Sequence, residues 1–360
     1  MKLEEFISYE QPTNYIVHSD QYTEDGRTPV LTAGQSFILG YTDEEDGIYD
    51  GEPVVIFDDF TTSVQYVDFP FKVKSSAMKI LKNKENANIK FCYYLLSWFQ
   101  EMPPNHKRQW ISTTSQIDIN LPSLTEQEAI VKKIEAVSNI IKHRNEELSE
   151  LDNLIKARFV ELFGDMILNP NGWEKVLLGD ACDVRDGTHD SPKYFAEGYP
   201  LVTSKNVTGG KIDFTDCSLI CEEDYNKINQ RSKVDFGDIL MPMIGTVGNP
   251  VIVDISEEFA IKNVALIKFR ENSKVINAFV KALLESDYFD RAVISKVRGG
   301  TQKFISLGDI RKLEICLPPI NVQEQFADFI RQVDKSKVVV QKSLDETQQL
   351  FDKLMQDYFG

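Results

Sequence analysis

The sequence predicts an α+β protein: two mixed α/β modules separated by two long helices that pair as an antiparallel coiled coil, in a pseudo-two-fold internal repeat. Three observations predict it. Residues 121–164 and 317–360 align without gaps at an offset of 196, and eleven of 44 positions are identical (Leu121, Pro122, Gln127, Glu128, Ile134, Val137, Leu148, Glu150, Leu154, Phe163 and Gly164 in the first copy). Both copies carry an apolar stripe at helical spacing. Shorter signals ahead of each helix recur in the same order.

Residues 1–120 form the first module. Apolar runs at 53–57 (PVVIF) and 63–67 (SVQYV) predict strands, and residues 89–100 predict a helix. The second module, 173–316, has matching runs at 239–243 and 250–253 and a predicted helix over 275–295. The repeat extends weakly into the modules: Pro29–Thr32 matches Pro200–Thr203, Phe71–Met78 matches Phe259–Leu266, Phe91 and Leu95 match Phe279 and Leu283, and Trp110–Ser112 matches Phe304–Ser306.

The first long helix lies in 121–164. Ile130, Ile134, Val137, Ile141, Leu148, Leu151, Ile155 and Leu162 fall on a 4–3 heptad spacing, interrupted by Arg144 and Arg158. The second lies in 317–360, where Phe326, Ile330, Val333, Val340, Leu344, Phe351, Leu354 and Tyr358 hold the same register, interrupted by Lys337 and Thr347. A helix of ~38 residues is ~57 Å long. A single amphipathic helix packed on its own module is the blander reading of each stripe. Residues 165–172, containing Asn169-Pro170-Asn171-Gly172, are read as the linker and hinge between the first helix and the second module. Paired antiparallel, the helices would carry similar modules at opposite ends, an arrangement suited to a ligand with two separated sites, such as DNA.

Charge bears on that ligand. The chain carries 56 acidic and 40 basic side chains, a formal charge of −16, which excludes a uniformly basic nucleic-acid coat. The charges are segregated along the chain, however. Residues 71–90 hold Lys72, Lys74, Lys79, Lys82, Lys84 and Lys90 against Glu85, and residues 291–312 hold Arg291, Lys296, Arg298, Lys303, Arg311 and Lys312 against Asp309. One basic stretch per module is what phosphate contact needs, although a solvated face explains any one such run. The candidate DNA-contacting residues are Lys72, Lys74, Lys107, Arg108 and Gln109 in the first module, and Thr188, His189, Lys205, Asn206, Arg298, Thr301, Gln302 and Lys303 in the second. Arg reads guanine, and Asn or Gln adenine, through bidentate pairs in the major groove. Polar surface loops are the plain alternative for each residue.

No catalytic or metal-ligating residue is assigned. The sequence has no GxxxxGK[ST] loop, no GxG, and no acidic-x-Lys pair of the nuclease kind. Four scattered histidines and the Cys217–Cys221 spacing make no metal site. Asp58-Asp59 is read as a strand-end turn that orients loops. Five cysteines without paired spacing read as reduced thiols of a cytoplasmic protein. No 18-residue apolar run or apolar leader is present, so neither a membrane span nor a signal peptide is expected.

At these residues the sequence resembles the specificity subunit of type I restriction-modification systems. The resemblance rests on the Leu-Pro entry with a glutamine five residues after the proline, the Phe-Gly exit, Asn169-Pro170-Asn171-Gly172-Trp173, Thr28–Gly34, Ile56–Thr62, Lys72–Met78, Asp186–Pro192 and Gly237–Thr246, and covers essentially the whole chain. It implies that 1–120 and 173–316 are target-recognition domains. Each would read one half of a bipartite, asymmetric double-stranded DNA target, with the helices as spacers. It further implies docking of two methyltransferase subunits on helical positions such as Ile134, Ile141, Leu148, Leu151, Ile155, Ile330, Val333, Leu344, Phe351 and Leu354, followed by restriction or motor subunits. S-adenosylmethionine, ATP and magnesium would be used by those partners and none by this chain, which would be non-catalytic by itself and active in no membrane. A coiled-coil scaffold with two protein-binding modules remains the alternative.

Overall fold

A computed structural model describes residues 1–32, 36–100, 108–244, 248–270, 273–293 and 304–360. The chain divides into two compact units, one of Met1–Asn145 with Gln341–Gly360, the other of Glu146–Val340. The division cuts across both long helices, Leu124–Phe163 and Ile320–Phe359.

The first unit is built on a four-stranded antiparallel sheet in the order Ile7–Glu10, Met78–Asn83, Val54–Asp58, Val64–Val67. The run from Val54 to Phe57 is continuously apolar and buried because the sheet is covered on both faces. Val55, Phe57 and Leu81 face the helix Ile89–Trp98 and the long helices, whereas Val54, Ile56 and Ile80 face Leu31, Phe71 and Val73. The latter come from a smaller sheet in which Thr28–Leu31 pairs antiparallel with Ile38–Thr42 and parallel with Lys72–Val73. Asn88 starts the module helix by accepting hydrogen bonds from the Lys90 and Phe91 amides.

The second unit repeats the plan. Its four-stranded sheet runs Val251–Ile252, Ile239–Pro242, Val264–Lys268, Asp183–Asp186. Tyr199–Val202 pairs parallel with Ala260–Ile261, as Thr28–Leu31 does with Lys72–Val73. The weak sequence repeats therefore fall on equivalent strands. The expected helix over 275–295 is broken: Asn277–Leu284 is followed by Asp287–Ala292, because Ser286 takes an extended conformation between them and its hydroxyl bonds to the Leu283 carbonyl.

The apolar stripes fall where their spacing puts them. Ile134 and Val333 are buried, and Ile141, Leu148, Leu151, Ile155, Ile330, Leu344, Phe351 and Leu354 are half-buried. In the first unit Val131 and Ile134, from the start of the central helix, pack with Met355 and Phe359 from the end of the C-terminal helix. In the second, Phe159 and Phe163 from the end of the central helix pack with Phe326 near the start of the C-terminal one. Start meets end in each case, so the helices pair antiparallel. The interrupting residues keep stripe positions: Lys337 is half-buried and ion-paired with Asp152, and the Arg158 guanidinium lies 5.7 Å from the Phe329 ring centroid while pairing with Glu161.

The segment expected as a hinge is a bonded turn. Gly164 ends the central helix at φ +68, and a Cβ there would lie 2.6 Å from Pro170 Cγ, so only glycine fits without displacement. Asp165 accepts from the Ile167 and Leu168 amides, and the Asn169 side chain accepts from the Trp173 amide and donates to its carbonyl. Among the described residues no helix is long and apolar enough to cross a membrane, and all five cysteines are free thiols. Burial pushes the Cys92 and Cys182 thiols up to about 12.

Candidate nucleic-acid interface

In the first unit four of the six lysines of the expected basic stretch are ion-paired, and two of those four are fully buried. Lys72 is fully buried, 2.8 Å from Glu44 Oε2, and donates to the Asp46 carbonyl at 2.6 Å. Lys79 is fully buried against Asp59, Lys82 meets Glu10 at 2.6 Å, and Lys90 meets Glu135 at 2.5 Å. Lys72 is thus corrected as a phosphate contact, since an enclosed ammonium that already has a carboxylate partner is not presented to DNA. Lys74 remains exposed, on the loop following Lys72–Val73.

Lys74 shares the unit with exposed Arg108 and half-buried Gln109. The Asp58-Asp59 pair positions these two, as its reading as an orienting turn requires. Asp58 Oδ1 accepts from the Phe60 and Thr61 amides at 2.8 and 2.9 Å and tightens the strand-end turn. Asp59 Oδ1 accepts from the Trp110 amide at 2.8 Å, its backbone carbonyl accepts from the Gln109 amide, and its Oδ2 lies 3.1 Å from Lys79 Nζ and 4.0 Å from Arg108 Nε. Trp110 packs edge-on against Phe57 and Tyr9 beside it. A buried ion pair and an aromatic anchor therefore hold the base of the segment carrying Arg108 and Gln109.

In the second unit Thr188 and exposed His189 lie on a polar loop, and exposed Lys205 lies in the short 3-10 helix Ser204–Asn206. Asp186 is nearly buried and pairs with both His189 Nε2, at 2.8 Å, and Arg231. His189 Nδ1 meets Asn263 Oδ1 at 2.7 Å, and Lys262 donates to Ser191 at 2.7 Å. Thr188 is fixed by backbone bonds to Ile261 and Asn263, and Asn263 adopts φ +54. Thr188, Ser191 and Arg231 also line a cleft of about 340 Å³, together with Asp190, Asp224 and Lys227. Sequence reasoning found Thr188 and His189 but missed Asp186, Arg231 and Lys262, which lie 31 and more residues away from one another in the chain.

Asn206 is a second correction. It is buried, and its side chain closes a capping box with Thr203 and donates to the Asp213 carbonyl, so it shapes the loop presenting Lys205 and does not reach outward. Lys107, Arg298, Thr301, Gln302 and Lys303 lie outside the described residues. One of the four histidines lies beside two carboxylates: His18, Glu44 and Asp46 bring three potential ligand atoms within 4.8 Å of one another. Glu44 is already held by the Lys72 ammonium and by the His18 and Ser19 amides, and these lower its pKa against burial, the largest influence on it.

Two like modules, each presenting polar and cationic loops and each packed on parts of two paired helices, define a duplicated architecture. The model of one family, the type I restriction modification DNA specificity domain, matches residues 1–151 and 170–347, and the chain belongs to that family. It is 42% identical over 165 residues to the specificity subunit of the EcoR124I/EcoR124II type I restriction enzyme of Escherichia coli, covering 41% of this chain and 40% of that protein. It is 26% identical over 258 residues to the MjaVIII specificity subunit of Methanocaldococcus jannaschii, covering 66% of this chain and 60% of that protein. The chain thus spans 40% to 60% of the length of these curated relatives. Among solved structures, the S subunit of a type I restriction-modification system from M. genitalium has the same fold, with a TM-score of 0.58 at 16% identity over 100% of this chain and 95% of that one. A chain from a study of complex assembly and conformational transition of the type I R-M system matches with a TM-score of 0.53 at 19% identity, over 100% of this chain and 96% of that one.

Proposed function

We propose that this chain is the DNA-recognition subunit of a type I restriction-modification complex, non-catalytic by itself. Each module reads one half of a bipartite, asymmetric double-stranded target, and the paired helices set the spacer between the halves. The observation that carries this reading is the duplication: two modules with the same strand order, differing in loop sequence, each joined to the helix pair in the same way. Different loops on a common frame give different half-sites at a fixed separation. Lys74, Arg108 and Gln109 are the proposed contacts of the first module, and Thr188, His189 and Lys205 those of the second. Lysines position the protein on phosphate, while the forked and amide side chains discriminate bases. Residues 107, 298 and 301–303 remain candidates from the sequence.

Two methyltransferase subunits dock on the helical region and bring S-adenosylmethionine. Restriction or motor subunits then add ATP and magnesium chemistry. The reading is supported by family membership and by the names of the curated relatives. Methylation sequencing of cells expressing the chain with its partner subunits tests it. Two short specific elements at a fixed separation are expected, and exchange of 173–316 for another module changes one element only. Absence of any sequence-selective methylation or binding in the assembled complex refutes it and favours a protein-binding scaffold.

A further inference from the structure

The two helix entries share a glutamine that bonds to both helix and module. Gln127 and Gln323 are both fully buried. Gln127 Nε2 donates to the Pro122 carbonyl at 2.9 Å and the Asn86 carbonyl at 3.1 Å, and its Oε1 accepts from the Asn88 amide at 2.8 Å. Gln323 Nε2 donates to the Pro318 carbonyl at 2.8 Å and the Lys274 carbonyl at 2.9 Å, and its Oε1 accepts from the Ile276 amide at 3.0 Å. Asn88 and Ile276 are the residues that precede the module helices Ile89–Trp98 and Asn277–Leu284. One planar amide therefore ties together the Leu-Pro entry, the long helix and the start of the module helix, identically in both units.

Every partner of the amide is a backbone group. The bonds survive although Asn86-Ala87-Asn88 is replaced by Lys274-Val275-Ile276 in the other copy. A joint of this kind is indifferent to module sequence. With both amide protons and the carbonyl oxygen engaged, it also leaves little freedom of rotation about the contact.

We propose that Gln127 and Gln323 are positioning residues that fix the angle of each module against its long helix, and thereby set the separation at which the two half-sites are read. This rests on the bipartite reading above. It explains why modules of unlike sequence can share one spacer geometry. The glutamines touch no DNA and select no base.

The test uses the full chain assembled with its methyltransferase subunits. Parent, Gln127→Met, Gln127→Glu and Gln323→Met complexes are compared on duplexes carrying the parent half-sites with the parent spacer, or a spacer one base pair shorter or longer. Methionine keeps the volume and loses all three bonds, whereas glutamate keeps the acceptor and loses the donors. The methylation-rate preference for the parent spacer is expected to fall by about tenfold, the equivalent of about 1.4 kcal/mol, at either glutamine, with base preference within each half-site unchanged. An unaltered spacer preference in assembled variants that melt earlier overturns the proposal and leaves the glutamines a purely structural role. Failure of all three variants to assemble also overturns it, because positioning would then be inseparable from folding. A parent complex that methylates no two-part target refutes the underlying reading instead, and does so before any substitution is compared.

Discussion

Replacing Asp59 with alanine strands a buried cation. Asp59 and Lys79 are each fully enclosed, with 3.1 Å between carboxylate and ammonium, and Gln11 Oε1, also at 3.1 Å, is a neutral partner unable to balance the charge. Removing one member of a buried pair costs about 3–5 kcal/mol. The Trp110 amide loses its acceptor in the same substitution, and an unsatisfied buried donor adds about 1–3 kcal/mol. Asp59→Ala should therefore destabilise the first unit by at least about 4 kcal/mol. Lys79→Met in the same background should return most of the ion-pair component, leaving about 1–3 kcal/mol for the Trp110 amide. Urea unfolding of the full chain, followed by tryptophan fluorescence, measures both, since Trp110 sits in the affected core. A loss below about 1 kcal/mol for Asp59→Ala, or strict additivity of the two substitutions, refutes the account of Asp59 as a charge-balancing anchor.

Two further outcomes follow from other parts of the fold. Phe163→Ala empties the centre of an aromatic cluster whose rings lie 4.9, 4.8 and 5.3 Å away at Phe159, Phe279 and Phe326, and should cost about 3–5 kcal/mol; its repeat partner Phe359, with one ring neighbour at 5.3 Å, should cost less, and the reverse order in thermal melts would contradict the packing assigned here. The hydrogen bond from Lys82 holds the Glu10 carboxyl below its usual range, so its contribution to stability is present above the ordinary carboxylate pKa and is lost as pH falls through the lowered value. Glu10→Gln should flatten that acid limb of a melting-temperature profile, and an unchanged limb would show the pair to be energetically silent.

The helices were legible in the sequence because their burial has a period: Ile134, Leu148, Ile330 and Leu344 take stripe positions that spacing alone assigns. The strand from Val54 to Phe57 was legible as an apolar run, whereas its cover on both faces came only with the fold. The basic stretch at 71–90 was misleading because charge counts along a chain ignore tertiary pairing. Lys72 finds Glu44, 28 residues away along the chain and outside the counted stretch. The polar loop residues divide by the same logic. Lys205 and Asn206 are neighbours of similar polarity, yet Asn206 turns inward because its amide completes a capping box. The role of Gln127 was hidden because its partners are backbone atoms about 40 residues upstream, invisible to any pattern of side chains.

The division of the chain into units has a consequence for the order of events during synthesis. The second unit is a continuous stretch, Glu146–Val340, and can close as soon as it has been made. The first is not. Its core needs Met355 and Phe359 against Val131 and Ile134, and the Lys133–Tyr358 hydrogen bond joins residues 225 apart. Closing the loop between these two parts of the first unit carries the entropy of the whole intervening second unit. The unit that comes first along this sequence is thus completed by residues that come last in it.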